Sequence, residues 1–227
     1  MACPSAQVPF VDAGSVLLAL AGLLQYPGEG SGQAIVRARL ELSGNGNGSF
    51  ERFAGPFLSL APEAREELYT GTFDITPACV AYVSIHLFGE ENFKRGEFMA
   101  ALNARYASAG FDPGGELPDH LAILVRFAAG IEVEERRELT EFCLLGPLGK
   151  MIAALSDGNP YRALLETVRE VLVLAHPGVQ PAVSPLEQMR QHGLTCDVRS
   201  PACGCGHEPG PGTSSDPLDC DTLAIIP

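Results

Sequence analysis

The chain has no tryptophan, and aromatic residues make up only 7% of its 227 positions, so aliphatic side chains must fill most of its core. Basic residues are also scarce: 15 Lys and Arg stand against 28 Asp and Glu, a net charge of −13. That shortage opposes a sequence-independent grip on nucleic acid, which needs clustered cations on one face. No stretch reaches the roughly 18 apolar residues that a membrane span requires, so the chain is not expected to be membrane-embedded. The run from Val16 to Leu24 has the length of a signal-peptide core, but nothing basic precedes it and Asp12 lies just upstream. A cytoplasmic protein is the expectation. A Gly-rich phosphate loop, a dinucleotide fingerprint and a His-Glu-x-x-His zinc motif are all missing, and with them the chemistries that those motifs serve.

What is present is enough for one soluble domain: 46% hydrophobic and 19% charged residues, punctuated by 25 Gly and 18 Pro. The pattern is helical nearly throughout, with no strand alternation and no internal repeat. Val16, Leu20, Leu23 and Leu24 keep the spacing of one helix face, stopped by Pro27-Gly28. A weaker helix spans Gln33 to Leu42, and residues 43–49 read as a Gly/Asn loop. Phe50, Phe53, Phe57 and Leu58 resume the helical spacing, with Pro56 expected to kink or split the segment. Pro62 fits a first helical position. Thr76-Pro77 reads as a cap and first-turn proline opening a nearly uncharged helix through Leu87, expected to be the most buried in the fold. Phe98, Leu102 and Tyr106 mark the next helix, with Gly110 as its left-handed stop. Leu121, Leu124, Val125 and Ala128 share a face of the following one. Val133 to Leu155 should be helical on both sides of a break at Gly146-Pro147, and Asn159-Pro160 should cap a strong last helix.

Beyond about residue 190 the character changes. Ser200 to Asp216 is rich in Gly, Pro and Ser, which predicts a flexible tail. The fold expectation is therefore all-α: one helical-bundle domain over residues 1–190, then a disordered tail over 191–227. Seven cysteines (Cys3, Cys79, Cys143, Cys196, Cys203, Cys205 and Cys220) are odd in number and widely spread, which reads as thiols and not a disulfide framework.

Three constellations carry chemistry. Glu116-Leu117-Pro118-Asp119-His120 places two carboxylates beside an imidazole, suited to acid–base work. The plainer alternative makes Pro118 the first helical residue and Asp119 a complement to the helix dipole. Tyr69-Thr70-Gly71-Thr72-Phe73-Asp74 is followed by Tyr82 and His86, four apart on one face of the helix expected after Thr76, where a histidine is more often a hydrogen-bonded core group than a ligand. Cys203-Gly204-Cys205-Gly206-His207, with Cys196 upstream, offers metal-binding donors without the paired spacing of a structural zinc site.

Leu23-Leu24-Gln25-Tyr26-Pro27 resembles the opening helix of the nitrate reductase molybdenum cofactor assembly chaperones, the NarJ type within the wider TorD and DmsD family. The resemblance is closer from Leu60 to Phe127, where Tyr69, Phe73-Asp74, His86 with Gly89, Arg95-Gly96 and Glu116 to Leu121 follow in order and spacing. It continues weakly through Asn159-Pro160-Tyr161, and neither the linker at 43–49 nor the tail belongs to its pattern. The resemblance implies an all-helical cytoplasmic chaperone and not an enzyme, with no cofactor or metal of its own. Its partner would be the immature catalytic (molybdenum) subunit of a respiratory oxidoreductase, together with that subunit's N-terminal leader or its remnant. The implied client-binding residues are Tyr69, Phe73, Tyr82, His86, Glu116, Pro118, Asp119 and His120, with Asp119 able to pair with a client arginine. A client leader offers a basic pair and an apolar helical stretch, which an acidic helical domain can steer and bury. Two alternatives stand beside this: an acid–base enzyme using Glu116, Asp119 and His120, and a metal or thiol carrier built on the cysteine tail.

Overall fold

Eleven α-helices and one π-helical turn, without a strand, make up the described residues of the protein. The structure is a computed structural model that describes residues 12–42 and 48–191. The helices are α1 (Ala13–Leu23), α2 (Ser31–Leu42), α3 (Gly48–Ser59), α4 (Pro62–Phe73), α5 (Val83–Phe88) and α6 (Lys94–Ser108). There follow α7 (Leu121–Gly130), α8 (Val133–Leu139), the π turn Thr140–Leu144, α9 (Leu145–Ala154), α10 (Pro160–Ala175) and α11 (Pro185–Gln191). The all-α expectation holds. The tail, with Cys196, Cys203, Cys205, His207 and Cys220, and also Cys3, lies outside the described residues.

The centre is built on α1 and α7. Asp12 caps α1, accepting from the backbone N–H of Gly14 (3.1 Å) and Ser15 (3.3 Å). Leu17 and Leu20 are fully enclosed, and α1 packs along α7, from which Leu121 to Val125, Phe127 and Ala128 are buried. The contact needs a glycine at its end. A Cβ on Gly14 would come within 2.7 Å of the Ala129 carbonyl oxygen, so only glycine lets the start of α1 meet the end of α7. On the other flank, Asn159 caps α10 through Tyr161 N–H, and Leu164, Leu165, Val168 and Leu172 turn inward as their spacing predicts. The α10 helix lies on α3. There the scarce aromatics are pooled: the Tyr161 ring is 5.0–6.0 Å from those of Phe53, Phe57, Tyr69 and Phe73.

Several expectations give way to the structure. Pro56 does not split α3, because it sits in the last turn, where only one ladder bond is forfeited. Gly48 and Ser49 open that helix and are not loop. No helix starts at Thr76. That residue has φ +52, while Cys79 N–H donates back to the Thr72 carbonyl (2.9 Å), folding the chain against the end of α4. Only Val83–Phe88 are helical, and Ile85 and His86 are half-buried, so α5 is not the most buried helix; α1 and α7 take that place. The expected break at Gly146-Pro147 is replaced by the π turn just before it. Pro147 would leave the Cys143 carbonyl without its partner and crowd it, and the wider turn makes room. The short α11 is an addition that the sequence pattern did not show.

Tyr161 is fully buried, yet its hydroxyl has no hydrogen-bond partner among the described residues. Removing that hydroxyl removes an unsatisfied group while keeping the ring. Tyr161→Phe is therefore expected to leave stability unchanged or raised in chemical denaturation, whereas Tyr161→Ala should lose about 3–5 kcal/mol through the cavity it opens. A loss above about 1 kcal/mol for the Phe variant would show a partner for the hydroxyl.

Candidate functional site

The connection between α4 and α5 returns to the start of α7 and pairs with it. Residues 81–83 and 119–121 lie antiparallel, with Leu121 N–H donating to the Ala81 carbonyl and Val83 N–H to the Asp119 carbonyl, both at 2.9 Å. The pairing brings the N-termini of α5 and α7 side by side. Two consecutive side chains then serve two different helices. Asp119 Oδ2 accepts from Ser84 Oγ (2.5 Å) and Ser84 N–H (3.4 Å), placing a carboxylate at the start of α5. His120 Nδ1 accepts from Ala122 N–H (3.3 Å) and caps its own helix, α7. Arg95 extends the chain of contacts, donating to Ser84 Oγ (2.9 Å) and to the Glu90 carbonyl (2.7 Å). Tyr106 holds the other side by donating to the Pro118 carbonyl (2.7 Å). The helix thus begins after His120 and not at Pro118, and Asp119 acts on α5 instead of its own first turn.

Beside this pairing lies a cavity of about 450 Å³ whose walls include Tyr69, Phe73, Tyr82, Glu116 and His120. Five of the eight expected client-binding residues meet there. The other three stand apart from it. Pro118 and Asp119 are buried behind the wall, and Asp119 has no exposed surface at all. His86 is half-buried, with Nε2 donating to the Val80 carbonyl (2.8 Å) while Lys150 contacts its backbone carbonyl. Tyr82 precedes α5 in extended conformation, so it shares no helix face with His86; its ring instead meets His120 edge-on at 5.5 Å. The cavity also includes Tyr26, Asp74 and Arg126, none of which is among the expected client-binding residues. All three stand inside the stretches that carry the family resemblance, Tyr26 and Asp74 among its quoted landmarks.

Burial and nearby carboxylates set the electrostatics. Tyr69 is pushed up to about 12, first by burial and then by the charge of Glu116. Tyr82 is raised by the same two causes, and Asp119 and Asp74 add to them. His120 moves the other way: burial lowers it, outweighing the upward pull of Glu116 and Asp119, so the ring is neutral near pH 7. His86 and His176 are also lowered by burial. Among the described residues no group of three or more His, Cys, Asp or Glu is placed to hold a metal ion. Cys79 and Cys143 are buried thiols pushed up to about 12, far from the thiolate character that ligation or redox chemistry needs. A second cavity, about 700 Å³ along α9, α10 and residues 181–187, contains none of the expected site residues.

Two predictions follow from the paired helix starts. Asp119→Ala strips Ser84 of its acceptor in a closed site, so denaturation should show a loss of about 1–3 kcal/mol; a loss below about 0.5 kcal/mol would contradict the capping role. Because His120 is lowered below its ordinary 6.5, the unfolded chain binds protons more readily there. Stability should be full above about pH 6.5 and fall as pH drops below it. His120→Asn keeps a strong cap without a titrating ring. It should hold neutral-pH stability to within about 1 kcal/mol and flatten part of the acid fall, as seen in melts across pH.

Residues 48–169 match the family model of the nitrate reductase delta subunit, a span that holds every expected site residue from Tyr69 to His120. The probable nitrate reductase molybdenum cofactor assembly chaperone NarJ of Bacillus subtilis (strain 168) is 38% identical over 84 residues, which is 37% of this chain. The match spans 45% of that relative's length. No helix among the described residues is long and apolar enough to cross a membrane. With more than half of its length matching the family model, the chain belongs to the nitrate reductase delta subunit family.

Proposed function

We propose that the protein is a cytoplasmic, system-specific chaperone. It binds the immature catalytic subunit of a respiratory molybdoenzyme, a nitrate reductase or a related oxidoreductase, and assists insertion of the molybdenum cofactor and assembly of the complex. It turns over nothing. The observation that supports this reading most is the cavity at the α5–α7 junction, which gathers Tyr69, Phe73, Tyr82, Glu116 and His120 inside the span of the family match. In this reading the cavity receives part of the client's N-terminal leader or leader remnant.

The physics of the site suits binding better than catalysis. Asp119 is enclosed behind the wall and committed to Ser84, and His120 Nδ1 is committed to Ala122. Glu116, Asp119 and His120 therefore do not open together onto one reacting atom. An aromatic wall with a carboxylate at its rim can hold an extended or helical peptide through apolar contact and charge. The net charge of −13 steers a basic leader toward the chaperone from a distance.

The direct check is co-purification of the tagged full-length protein from cells that make the candidate catalytic subunit with and without cofactor synthesis. The cofactor-free subunit should be recovered with the chaperone, and the mature enzyme should not. Recovery of the chaperone alone in both strains would contradict the proposal.

A further inference from the structure

The cavity of about 700 Å³ along α9, α10 and residues 181–187 has the size of a ligand pocket and an apolar floor. Leu145, Ile152, Ala153 and Val183 contribute to it, and Val183 is 51% exposed. A Cβ on Gly149 would meet nothing within 4 Å, so the backbone of α9 itself faces open space there. The charges at the rim are mostly engaged. Lys150 pairs with Glu187 at 3.2 Å, and Glu166 is held by Arg52 (2.9 Å) and Arg162 (3.2 Å). Glu170 accepts from Ser49 Oγ at 2.6 Å. Arg169, by contrast, is exposed and has no ion pair among the described residues. The cavity thus combines apolar surface with one unpaired cation at its edge.

The chain itself carries a segment of matching chemistry. It leaves the described residues at Gln191, one helical turn past Glu187 at the cavity rim. Beyond that point the sequence has a single apolar cluster, Leu223-Ala224-Ile225-Ile226, preceded by Asp219-Cys220-Asp221. Residues 192–218 connect the two and are rich in Gly and Pro. A chain of that length spans on the order of 30 Å, about the width of a small domain, so the cavity is within reach. Such a tether holds the segment at a local concentration in roughly the millimolar range, where even a weak apolar contact stays formed.

We propose that this cavity is the docking site of the chain's own residues 219–226: Leu223, Ile225 and Ile226 enter against Leu145, Ile152 and Val183, and the acidic pair Asp219 and Asp221 faces Arg169. Apolar burial supplies the attraction, and the exposed ion pair sets the register while adding little affinity. The docked segment closes an apolar cavity that would otherwise be open to any apolar polypeptide. It is held by only a few side chains, so a partner that binds more tightly can displace it. The site is separate from the α5–α7 junction and shares no lining residue with it.

The test uses the full chain and its own cysteines. Ala153 is exposed at the cavity, so Ala153→Cys adds a thiol there without disturbing the core, while Cys79 and Cys143 are buried. A short bismaleimide should join the new thiol to Cys220 within one chain, as read by peptide mass spectrometry. Docking predicts that this link outnumbers those to Cys196, Cys203 and Cys205 by at least about fivefold, although those three lie closer along the chain. Replacing Leu223, Ile225 and Ile226 together by Ser should abolish the preference, with the melting temperature of the helical domain unchanged. Arg169→Gln, or high salt, should lower it about twofold. Links spread evenly over the four tail cysteines, or a preference that survives the triple Ser variant, would overturn the proposal. Links to Cys220 found only between two chains would replace it with exchange between copies. An unchanged preference in Arg169→Gln would overturn the assigned register.

Discussion

Two backbone hydrogen bonds, Leu121 N–H to the Ala81 carbonyl and Val83 N–H to the Asp119 carbonyl, set the geometry on which the site depends. They join segments nearly forty residues apart in the chain and bring two helix starts to one place. Each helix start presents backbone N–H groups that lack intrahelical partners. The fold satisfies them with adjacent side chains, Asp119 for α5 and His120 for α7. Structure and proposed binding are thereby tied to the same two residues, one facing the interior and one facing the cavity.

The cavity wall is also continuous with the core. Tyr26 meets Tyr69, Tyr69 meets Phe73 and Tyr161, and Tyr161 meets Phe53 and Phe57. In a chain with few aromatics, this places many of the large rings along one line from the surface to the α3–α10 contact. Such packing leaves little freedom for the inner wall, because cores at native density do not deform without losing contacts. Tyr26, half open to solvent at the outer end, is the part of the line with room to adjust to a ligand.

Much of the helical framework could be read from local pattern. Asn159 announces the helix it caps, and the inward faces of α1, α7 and α10 follow the 3.6-residue period. The errors fall where a distant partner overrides a local preference. Thr76-Pro77 has the look of a helix start, but residues 81–83 are drawn into pairing with 119–121 and the helix shrinks to six residues. Gly146-Pro147 has the look of a break, but the π turn before it absorbs the strain. The site was legible as a family motif and only partly as geometry: the motif names Asp119 and His120 together, and only the fold shows that they point to different tasks. Tyr26 and Asp74 join the cavity through tertiary packing, which no spacing in the chain encodes.

The central claim is that the α5–α7 junction is where the client's N-terminal segment binds. Hydrogen exchange of the full-length protein, with and without the catalytic subunit's N-terminal peptide, addresses that claim most directly. The account predicts new protection around residues 69–83 and 113–126, the two stretches that contribute most of the cavity wall. Protection confined to the other cavity, along α9, α10 and residues 181–187, would contradict it.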